Sequence, residues 1–281
     1  MQFFKKLFQK NSPRFKKRDQ AALLNDWARR EILKQSRYQE PLRLLGKGHK
    51  VFSQGDEDGI ISEIFHRIGS SSKRFCEIGV GDGRENNTLA LLYQGWSGVW
   101  VEASKRRCDF IRKTFSWAID AGQLELIEKC VDASSAEILV REIKDFSSLD
   151  LFSIDIDGID WHVVKALPEL KARVVVVEYN AKFAPPIEFI VQDRRGFSWK
   201  RDDYFSASLN SWEKLMKDKG YALVGCGLTG ANAYFVRADL VNENLFCAPF
   251  TAENHYEPAR YWLVSGWSSG HAASGGVPHK L

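Results

Sequence analysis

Short apolar runs and amphipathic segments alternate through the middle of the chain. Five runs rich in β-branched and aromatic residues predict buried strands, and an acidic residue lies at or just after the end of each. The runs cover residues 75–78, 99–101, 124–131, 149–154 and 174–177. Residues 174–177 are four consecutive valines bounded by polar residues, which is typical of a central parallel strand buried on both faces.

Apolar positions at helical spacing follow these runs and predict helices. The helical segments are 88–92, 104–119, 135–145, 159–167 and 208–219. Ser104 is placed to cap the second of them, and Ser134 with Glu137 has the spacing of a capping box for the third. Alternating strands and helices predict a doubly wound α/β sheet that binds its ligand beyond the carboxyl ends of the strands. Residues 221–225 and 233–236 flank a glycine-containing turn and predict a final antiparallel pair.

Both ends of the chain extend beyond this pattern. Residues 1–18 carry seven Lys or Arg and no acid, with Phe3, Phe4, Leu7 and Phe8 at helical spacing. Two interpretations stay open, a basic amphipathic helix on an anionic membrane surface and a solvated or docked basic tail. Residues 19–38 predict a helix that packs on the domain or on a partner subunit, which would make a homo-oligomer. The aromatic segment 241–281 predicts a cover over the domain or a dimer contact.

This pattern predicts three parts: a basic helical N-terminal extension (1–45), a ligand-binding α/β domain (46–240) and a C-terminal extension (241–281).

In the 281 residues, 44% are hydrophobic and 27% charged, as in an ordinary soluble domain. No apolar run reaches the roughly 20 residues of a membrane span, and no secretory signal is evident, so a cytoplasmic location is expected, membrane-peripheral only under the first interpretation of residues 1–18.

Cysteine usage and charge exclude several functional classes. The five cysteines form no C-x-x-C pair and lie mostly in apolar runs, so they predict reduced core residues and neither a disulfide framework nor a zinc site. A net charge of +4 without an RNA- or DNA-binding motif gives no reason to expect a nucleic-acid partner.

A glycine loop follows the first predicted strand. Glu77 precedes glycines at 79, 81 and 83, and Glu102 closes the second strand. Glycines allow a tight turn and a close approach of backbone N–H groups to a ligand. The dinucleotide fingerprint needs a third glycine where this chain has Arg84 or Asn86, so NAD is not predicted. No P-loop motif occurs either.

This arrangement of acids and glycines resembles the S-adenosylmethionine (SAM) site of Rossmann-like class I methyltransferases. The resemblance implies a seven-stranded, mostly parallel sheet and SAM as the cofactor. The implied cofactor-binding residues are Glu77, Gly79, Gly81, Gly83, Glu102, Ala103, Asp132, Ala133 and Asp155. In that family the second acid binds both ribose hydroxyls, and an acid in the place of Asp132 accepts a hydrogen bond from the adenine amino group. A helix-capping role for Asp132 is the alternative.

Two further segments look like those of FkbM-like O-methyltransferases. Residues 53–58 resemble the family's Ser-Gln-x-Glu-Asp segment, and Asp155-x-Asp157-Gly158 resembles its Asp-x-Glu-Gly, with Asp in place of Glu at 157. The resemblance implies O-methylation of a hydroxyl on a saccharide or natural-product-like molecule. Residues 53–58 either cap the next helix or close over the cofactor. Residues 181–205, a long loop, are expected to face substrate, with Arg194 and Arg195 as anion ligands or plain surface residues.

A hydroxyl acceptor must lose its proton, to a base or with help from a divalent cation. Asp155, Asp157 and His162 are the candidate catalytic residues, with His162 the best-placed base. Asp157, Glu178 and Asn180 offer the oxygen ligands that Mg²⁺ prefers and resemble the metal site of catechol-type O-methyltransferases. Each of these residues also has a structural interpretation, in which the acids cap helices or face the cofactor.

Two interpretations from other classes remain open at this stage. One is a non-catalytic binding or scaffold protein that keeps the fold, held at a membrane surface by its basic N-terminus. The other is an enzyme that uses a different nucleotide on a similar sheet. Neither the acceptor nor the use of a metal can be read from the residues.

Overall fold

A computed structural model describes residues 17–194 and 196–265. The expectations for residues 1–16, Arg195 and residues 266–281 therefore lie outside the described residues, and the membrane contact expected of residues 1–18 stays a prediction. Within the described ranges, no helix is both long enough and apolar enough to span a membrane.

Seven strands form one sheet in the order β3-β2-β1-β4-β5-β7-β6. The strands are β1 (Arg74–Ile78), β2 (Ser97–Glu102), β3 (Leu124–Glu128), β4 (Leu151–Ile154), β5 (Val174–Glu178), β6 (Tyr221–Cys226) and β7 (Asn232–Arg237). β1 to β5 are parallel, and β7 runs antiparallel to both β5 and β6. This confirms the predicted class I methyltransferase-like fold. The strand order reverses between β1 and β4, and a ligand crevice is expected there.

The described residues form ten α-helices around the sheet and beyond its ends. They are α1 (Lys17–Leu33), α2 (Glu57–Ile68), α3 (Leu89–Tyr93), α4 (Lys105–Thr114), α5 (Ser116–Asp120), α6 (Ala136–Glu142), α7 (Asp160–Ala166), α8 (Leu209–Asp218), α9 (Ala252–His255) and α10 (Trp262–Ser265). Short 3₁₀ turns cover Ser36–Gln39, Leu45–Lys47, Phe146–Ser148 and Ala238–Leu240.

The core has two layers, one on each face of the sheet. Successive residues of β5 show the division, because Val175 and Val177 join one apolar cluster while Val174 and Val176 join the other. All four valines are fully buried. Burial on both faces explains why this strand is an unbroken β-branched run.

Two helices differ from their predicted bounds. The segment 104–119 breaks at Phe115 into α4 and α5, and the buried Phe115 ring packs edge-on against Trp100 with the ring centroids 5.0 Å apart. Ser104 caps α4 as predicted, accepting a hydrogen bond from the backbone of Arg107. The predicted capping box is wrong: α6 starts after Ser135 without a side-chain cap, and the Ser134 hydroxyl donates to Asp132 instead.

The N-terminal helix lies against the end of the described chain. The Asn25 amide of α1 donates to the Leu263 carbonyl of α10 at 3.1 Å. Only part of the apolar side of this helix is covered, since Ile32 packs against the core while three other apolar side chains are about half exposed. These are Leu23, Leu24 and Trp27.

Candidate functional site

The glycine turn after β1 is shaped by two close approaches. Gly79 has φ +88°, and a Cβ there would lie 1.7 Å from the Asp155 carbonyl oxygen. Gly83 has φ +80°, and a Cβ would lie 2.8 Å from the Trp100 ring. At Gly81 no atom lies within 4 Å of the Cβ position. The outer two glycines therefore let the turn pack on β2 and β4, while the middle one faces open space.

That space is a cavity of about 310 Å³ beyond the carboxyl ends of β1, β2 and β4. Several predicted site residues line it, namely Glu77, Gly79, Gly81, Glu102, Ala103, Asp155 and Asp157. The remaining lining residues are Gln54, Glu57, Val80, Glu85, Asn86, Asn87, Arg107, Ile156 and Asn232. Gly83, Asp132, Ala133, His162, Glu178 and Asn180 are not among the lining residues.

Glu102 is tied to the glycine turn. Its carboxylate accepts hydrogen bonds from the Gly81 N–H at 2.9 Å and the Ser104 N–H at 2.8 Å, one on each oxygen. The side chain is only 5% exposed, and the Arg107 guanidinium lies 3.7 Å away. A carboxylate oxygen accepts more than one hydrogen bond, so both oxygens keep the capacity to bind two neighbouring hydroxyls of a ligand.

Glu77 anchors the segment after the glycine turn. Its carboxylate accepts from the Asn87 N–H at 2.9 Å and the Thr88 hydroxyl at 2.5 Å, and the Trp100 indole donates to that same hydroxyl. Burial raises the pKa of Glu77 to about 7, although these hydrogen bonds act in the opposite direction. Glu77 thus supports one wall of the cavity as well as lining it.

The loop before α2 is folded by three consecutive acids. One oxygen of Asp58 accepts from the N–H groups of Val51, Phe52 and Ser53 and from the Ser53 hydroxyl, all within 2.9 Å. The start of α2 has no side-chain cap at Asp56. The Ser53 hydroxyl instead accepts from the Asp58 N–H in the first turn of α2 at 3.3 Å, so residues 53–58 satisfy the helix start without a cap at Asp56.

The other two acids join this loop to the far side of the sheet. The Asn232 amide donates to Glu57 at 3.0 Å, and the Leu228 N–H donates to Asp56 at 3.0 Å. Gln54 and Glu57 both line the cavity. The loop consequently forms part of the cavity wall, and its closing over a cofactor stays a prediction.

Three carboxylates converge after β4 and β5. Oxygens of Asp155, Asp157 and Glu178 lie within 4.8 Å of one another. Burial, reinforced by the neighbouring acids, raises the pKa of Asp155 and of Glu178 well above the usual values. One oxygen of Glu178 is buried without a hydrogen-bond partner among the described residues. Carboxylates this close require a shared proton or a cation, so the group fits a divalent metal ion.

The structure gives three other predicted residues local contacts instead. The Asn180 amide donates to the carbonyls of Asp203 and Phe205, and its oxygen accepts from the Lys182 N–H, so the side chain holds the base of the 181–205 loop. The metal role predicted for Asn180 competes with these bonds.

The predicted base, His162, donates its Nε2 proton to the Val191 carbonyl at 2.7 Å and joins α7 to the same loop. Asp132 accepts from Ser134 and Ser135, and hydrogen bonds from these serines lower its pKa. These bonds shape the turn before α6 but do not cap the helix, which starts after Ser135 without a side-chain cap, and the adenine role of Asp132 stays a prediction.

Two residues near the site carried little sequence signal. Asn232, which opens β7, is the register partner of Glu178 and lines the cavity, but its position depends on the antiparallel pairing. Tyr261 comes from the C-terminal segment, where burial, followed by the charge of Glu178, raises its pKa. The glycine-containing turn before Asn232 was the one available hint.

Comparison with known proteins gives structural likeness alone. No family model matches the chain, and no curated protein matches it. A solved putative caffeoyl-CoA O-methyltransferase from Staphylococcus aureus is 14% identical, with a TM-score of 0.45, covering 84% of this chain and 98% of that one. The methyltransferase domain of bacterial CtHen1 is 16% identical, with a TM-score of 0.42, covering 64% and 97%.

A SAM-bound magnesium protoporphyrin IX methyltransferase from Synechocystis PCC 6803 is 14% identical, with a TM-score of 0.39, covering 76% of this chain and 97% of that one. At identities and TM-scores this low, none of these structures assigns a function to this chain. The function of this chain therefore has to be inferred from the residues of its own site.

Proposed function

We propose that this chain is a SAM-dependent methyltransferase that methylates a hydroxyl group of a small molecule. The observation that carries the proposal is the Glu102 carboxylate, which is 5% exposed at the end of β2 and bound to the N–H of Gly81 beside the cavity. The FkbM-like resemblance adds a saccharide or natural-product-like acceptor.

The charge of the cavity supports SAM over a nucleotide with a diphosphate. The six acidic lining residues are Glu57, Glu77, Glu85, Glu102, Asp155 and Asp157. Arg107 is the single lining Lys or Arg among the described residues. A concentration of carboxylates favours a ligand with a sulfonium and an ammonium group and repels a diphosphate.

The residues present fit SAM. Glu102 would bind the ribose hydroxyls, and the open face at Gly81 leaves room for the methionine part. Bound SAM supplies an electrophilic methyl group. The chain's task is then to hold the acceptor oxygen in line with the methyl, which is where most of the rate acceleration of such a displacement arises.

The carboxylate cluster handles the acceptor's proton. Bound SAM would supply the methyl group: the acceptor oxygen would gain the carbon, and sulfur would keep the electron pair of the broken carbon–sulfur bond. The hydroxyl proton passes to one of Asp155, Asp157 or Glu178. These three residues would also hold a Mg²⁺ ion, which supplies a lower pKa for the hydroxyl.

Calorimetric titration with S-adenosylhomocysteine (SAH) tests the proposal. We expect micromolar binding by the wild type and at least a tenfold weakening in Glu102→Ala, about 1.4 kcal/mol. Glu128→Ala is the matched control, since Glu128 is the register partner of Glu102 on β3 and pairs with Arg112 at the surface. Repeating the titration with Mg²⁺ shows whether the ion and the cofactor bind together.

A folded wild type that does not bind SAH would contradict the proposal and favour a different ligand. Tight SAH binding by a protein that transfers no methyl from SAM to any acceptor in a cell extract would favour the scaffold interpretation instead.

A further inference from the structure

A second cavity adjoins the first. It has a volume of about 300 Å³ and lies between α1, the loop before α2, the β6–β7 turn and α10. Its lining residues are Ala22, Asn25, Asp26, Arg29, Lys50, Gln54, Gly55, Asp56, Leu228, Thr229, Leu263 and Val264. Gln54 lines both cavities.

The two cavities meet along the short loop that contains Gln54, Asp56 and Glu57. Glu57 lines the first cavity and Asp56 lines the second. Both are held from the β6–β7 side, Glu57 by the Asn232 amide and Asp56 by the Leu228 N–H. A ligand in the second cavity therefore lies one loop away from the site proposed for the cofactor.

The acids of the second cavity are withdrawn from it. Asp26 pairs with Arg30 on the same helix at 2.9 Å. Asp56 is 2% exposed, and one of its oxygens accepts from the Leu228 N–H. Asp26 is thus paired, whereas the buried Asp56 keeps one oxygen without a hydrogen-bond partner among the described residues.

The cations of the cavity are the groups left for a ligand. The half-buried Arg29 donates to the Gly48 carbonyl, and its charge also acts on the neighbouring Asp56, where it opposes the burial that raises the pKa of that carboxyl to about 6. Lys50 pairs with Glu85 at 3.3 Å, but both side chains are largely exposed, and such pairs contribute little. Aliphatic groups of Leu228, Leu263 and Val264 complete the lining.

The two cavities thus differ in charge: six acidic residues and one arginine line the first, whereas two acids and two cations beside aliphatic groups line the second. We infer that the second cavity binds the acceptor, and that this acceptor carries an anionic group, phosphate or carboxylate, on an apolar scaffold. The inference rests on the proposed methyl transfer. Arg29 and Lys50 hold the anion, and the acidic first cavity repels it, so the acceptor enters with its hydroxyl towards the cluster.

Ligand-observed NMR titration of the full chain, saturated with SAH, tests this with three probes: n-hexyl phosphate, hexanoate and 1-hexanol. We expect at least one anionic probe to bind about tenfold more tightly than hexanol, since charge-assisted hydrogen bonds are the stronger ones. Preference for hexyl phosphate or for hexanoate identifies the anionic group. Arg29→Met and Lys50→Met should each weaken the preferred probe about five- to tenfold.

Lys34→Met is the matched control, because Lys34 lies just beyond α1, exposed and paired with Glu31. Arg29 also donates to the Gly48 carbonyl, so Arg29→Met can disturb the fold. Lys50→Met tests the anion site without removing that contact. Equal binding of hexanol and both anions, or equal effects of the cavity variants and the control, overturns this inference while SAH binding keeps the proposed function. Failure of the folded protein to bind SAH overturns both.

Discussion

The buried carboxyl of Glu77 is the clearest single-residue consequence of the site's construction. It is 3% exposed, yet it accepts only two hydrogen bonds, from the Asn87 N–H and the Thr88 hydroxyl. Burial raises its pKa from 4.5 to about 7. Between these two pH values the folded protein keeps a proton that the unfolded chain releases. The free energy of unfolding must therefore fall as the pH rises through this window.

Glu77→Gln should remove this contribution. The variant keeps an acceptor for the Asn87 N–H, so the fold is retained, and its stability should respond less to pH than that of the wild type. From pH 5 to pH 8 the wild type should lose up to about 3 kcal/mol relative to the variant, because the pKa is raised by more than two units. Urea unfolding at pH 5, 6, 7 and 8 in the presence of a chelator measures the difference.

Other acids whose pKa values are raised by burial make the free energy of unfolding depend on pH in both the wild type and the Glu77→Gln variant. They are Asp56, Asp155, Asp160 and Glu178. The informative quantity is therefore the gap between the two curves. Parallel curves across this range would show that Glu77 releases its proton at an ordinary pH in the folded state.

At the scale of single elements, the loop before α2 is held by one carboxylate. Four hydrogen bonds from residues 51–53 converge on one oxygen of Asp58, which is 6% exposed. The loop brings Gln54 to both cavities. Its shape therefore depends on a residue of α2 that touches neither cavity.

Asp58→Ala should loosen this loop. We expect a loss of about 2 kcal/mol of stability, typical of hydrogen bonds to a charged group, and about a tenfold loss of SAH affinity as Gln54 and Glu57 lose their positions. Asp58→Asn keeps an oxygen acceptor without the charge and should fall between the two proteins. Urea unfolding and calorimetry report the two effects separately. A destabilised variant with wild-type SAH affinity would mean that the loop does not shape the cofactor site.

Elements were predictable where burial alone decides them. The valines of β5 and the acids after the strands show in the sequence because a strand covered on both faces must be apolar up to its end. The break at Phe115 did not show, since the apolar spacing continues across it, and neither did the packing of its ring on Trp100 from another element. Helix propensity and apolar spacing are properties of a single segment, so they cannot predict a contact with another element.

The candidate site could likewise be predicted from the sequence only where its residues lie close together along the chain. Glu102 and the glycines are local to one strand–turn–helix unit, so their pattern is visible in the sequence. Asn180 is of a suitable chemical type, but its side-chain direction is set by the loop that returns through Asp203 and Phe205. The second cavity combines residues 22–29, 50–56, 228–229 and 263–264, which no spacing rule connects.

At the scale of the whole molecule, Glu257 joins three distant parts of the chain. It is 1% exposed, and its carboxylate accepts from the Tyr38 hydroxyl at 2.7 Å, Arg260 at 2.8 Å and Arg37 at 3.1 Å. Its backbone carbonyl accepts from the Tyr179 hydroxyl, directly after β5. The segments before and after the sheet domain are thus fastened to each other and to the edge that carries the site.

The same network reaches the second cavity. The Arg260 N–H donates to the Thr229 carbonyl at 2.7 Å, and its guanidinium donates to the Leu228 carbonyl at 2.9 Å. Both of these residues line the cavity. Loss of the Glu257 charge should therefore affect the fold and the proposed acceptor site together.

Glu257→Gln should destabilise the protein by about 3 kcal/mol, because it leaves Arg37 and Arg260 beside a buried group that no longer carries charge. Glu253→Gln, four residues earlier and exposed, is the control and should leave stability unchanged. In a double-mutant cycle, Glu257→Gln and Arg260→Met should cost less together than the sum of the single changes, since each removes the same ion pair. Equal stability of the Glu257 and Glu253 variants, or strict additivity in the cycle, would show that packing and not this network holds the C-terminal segment on the domain.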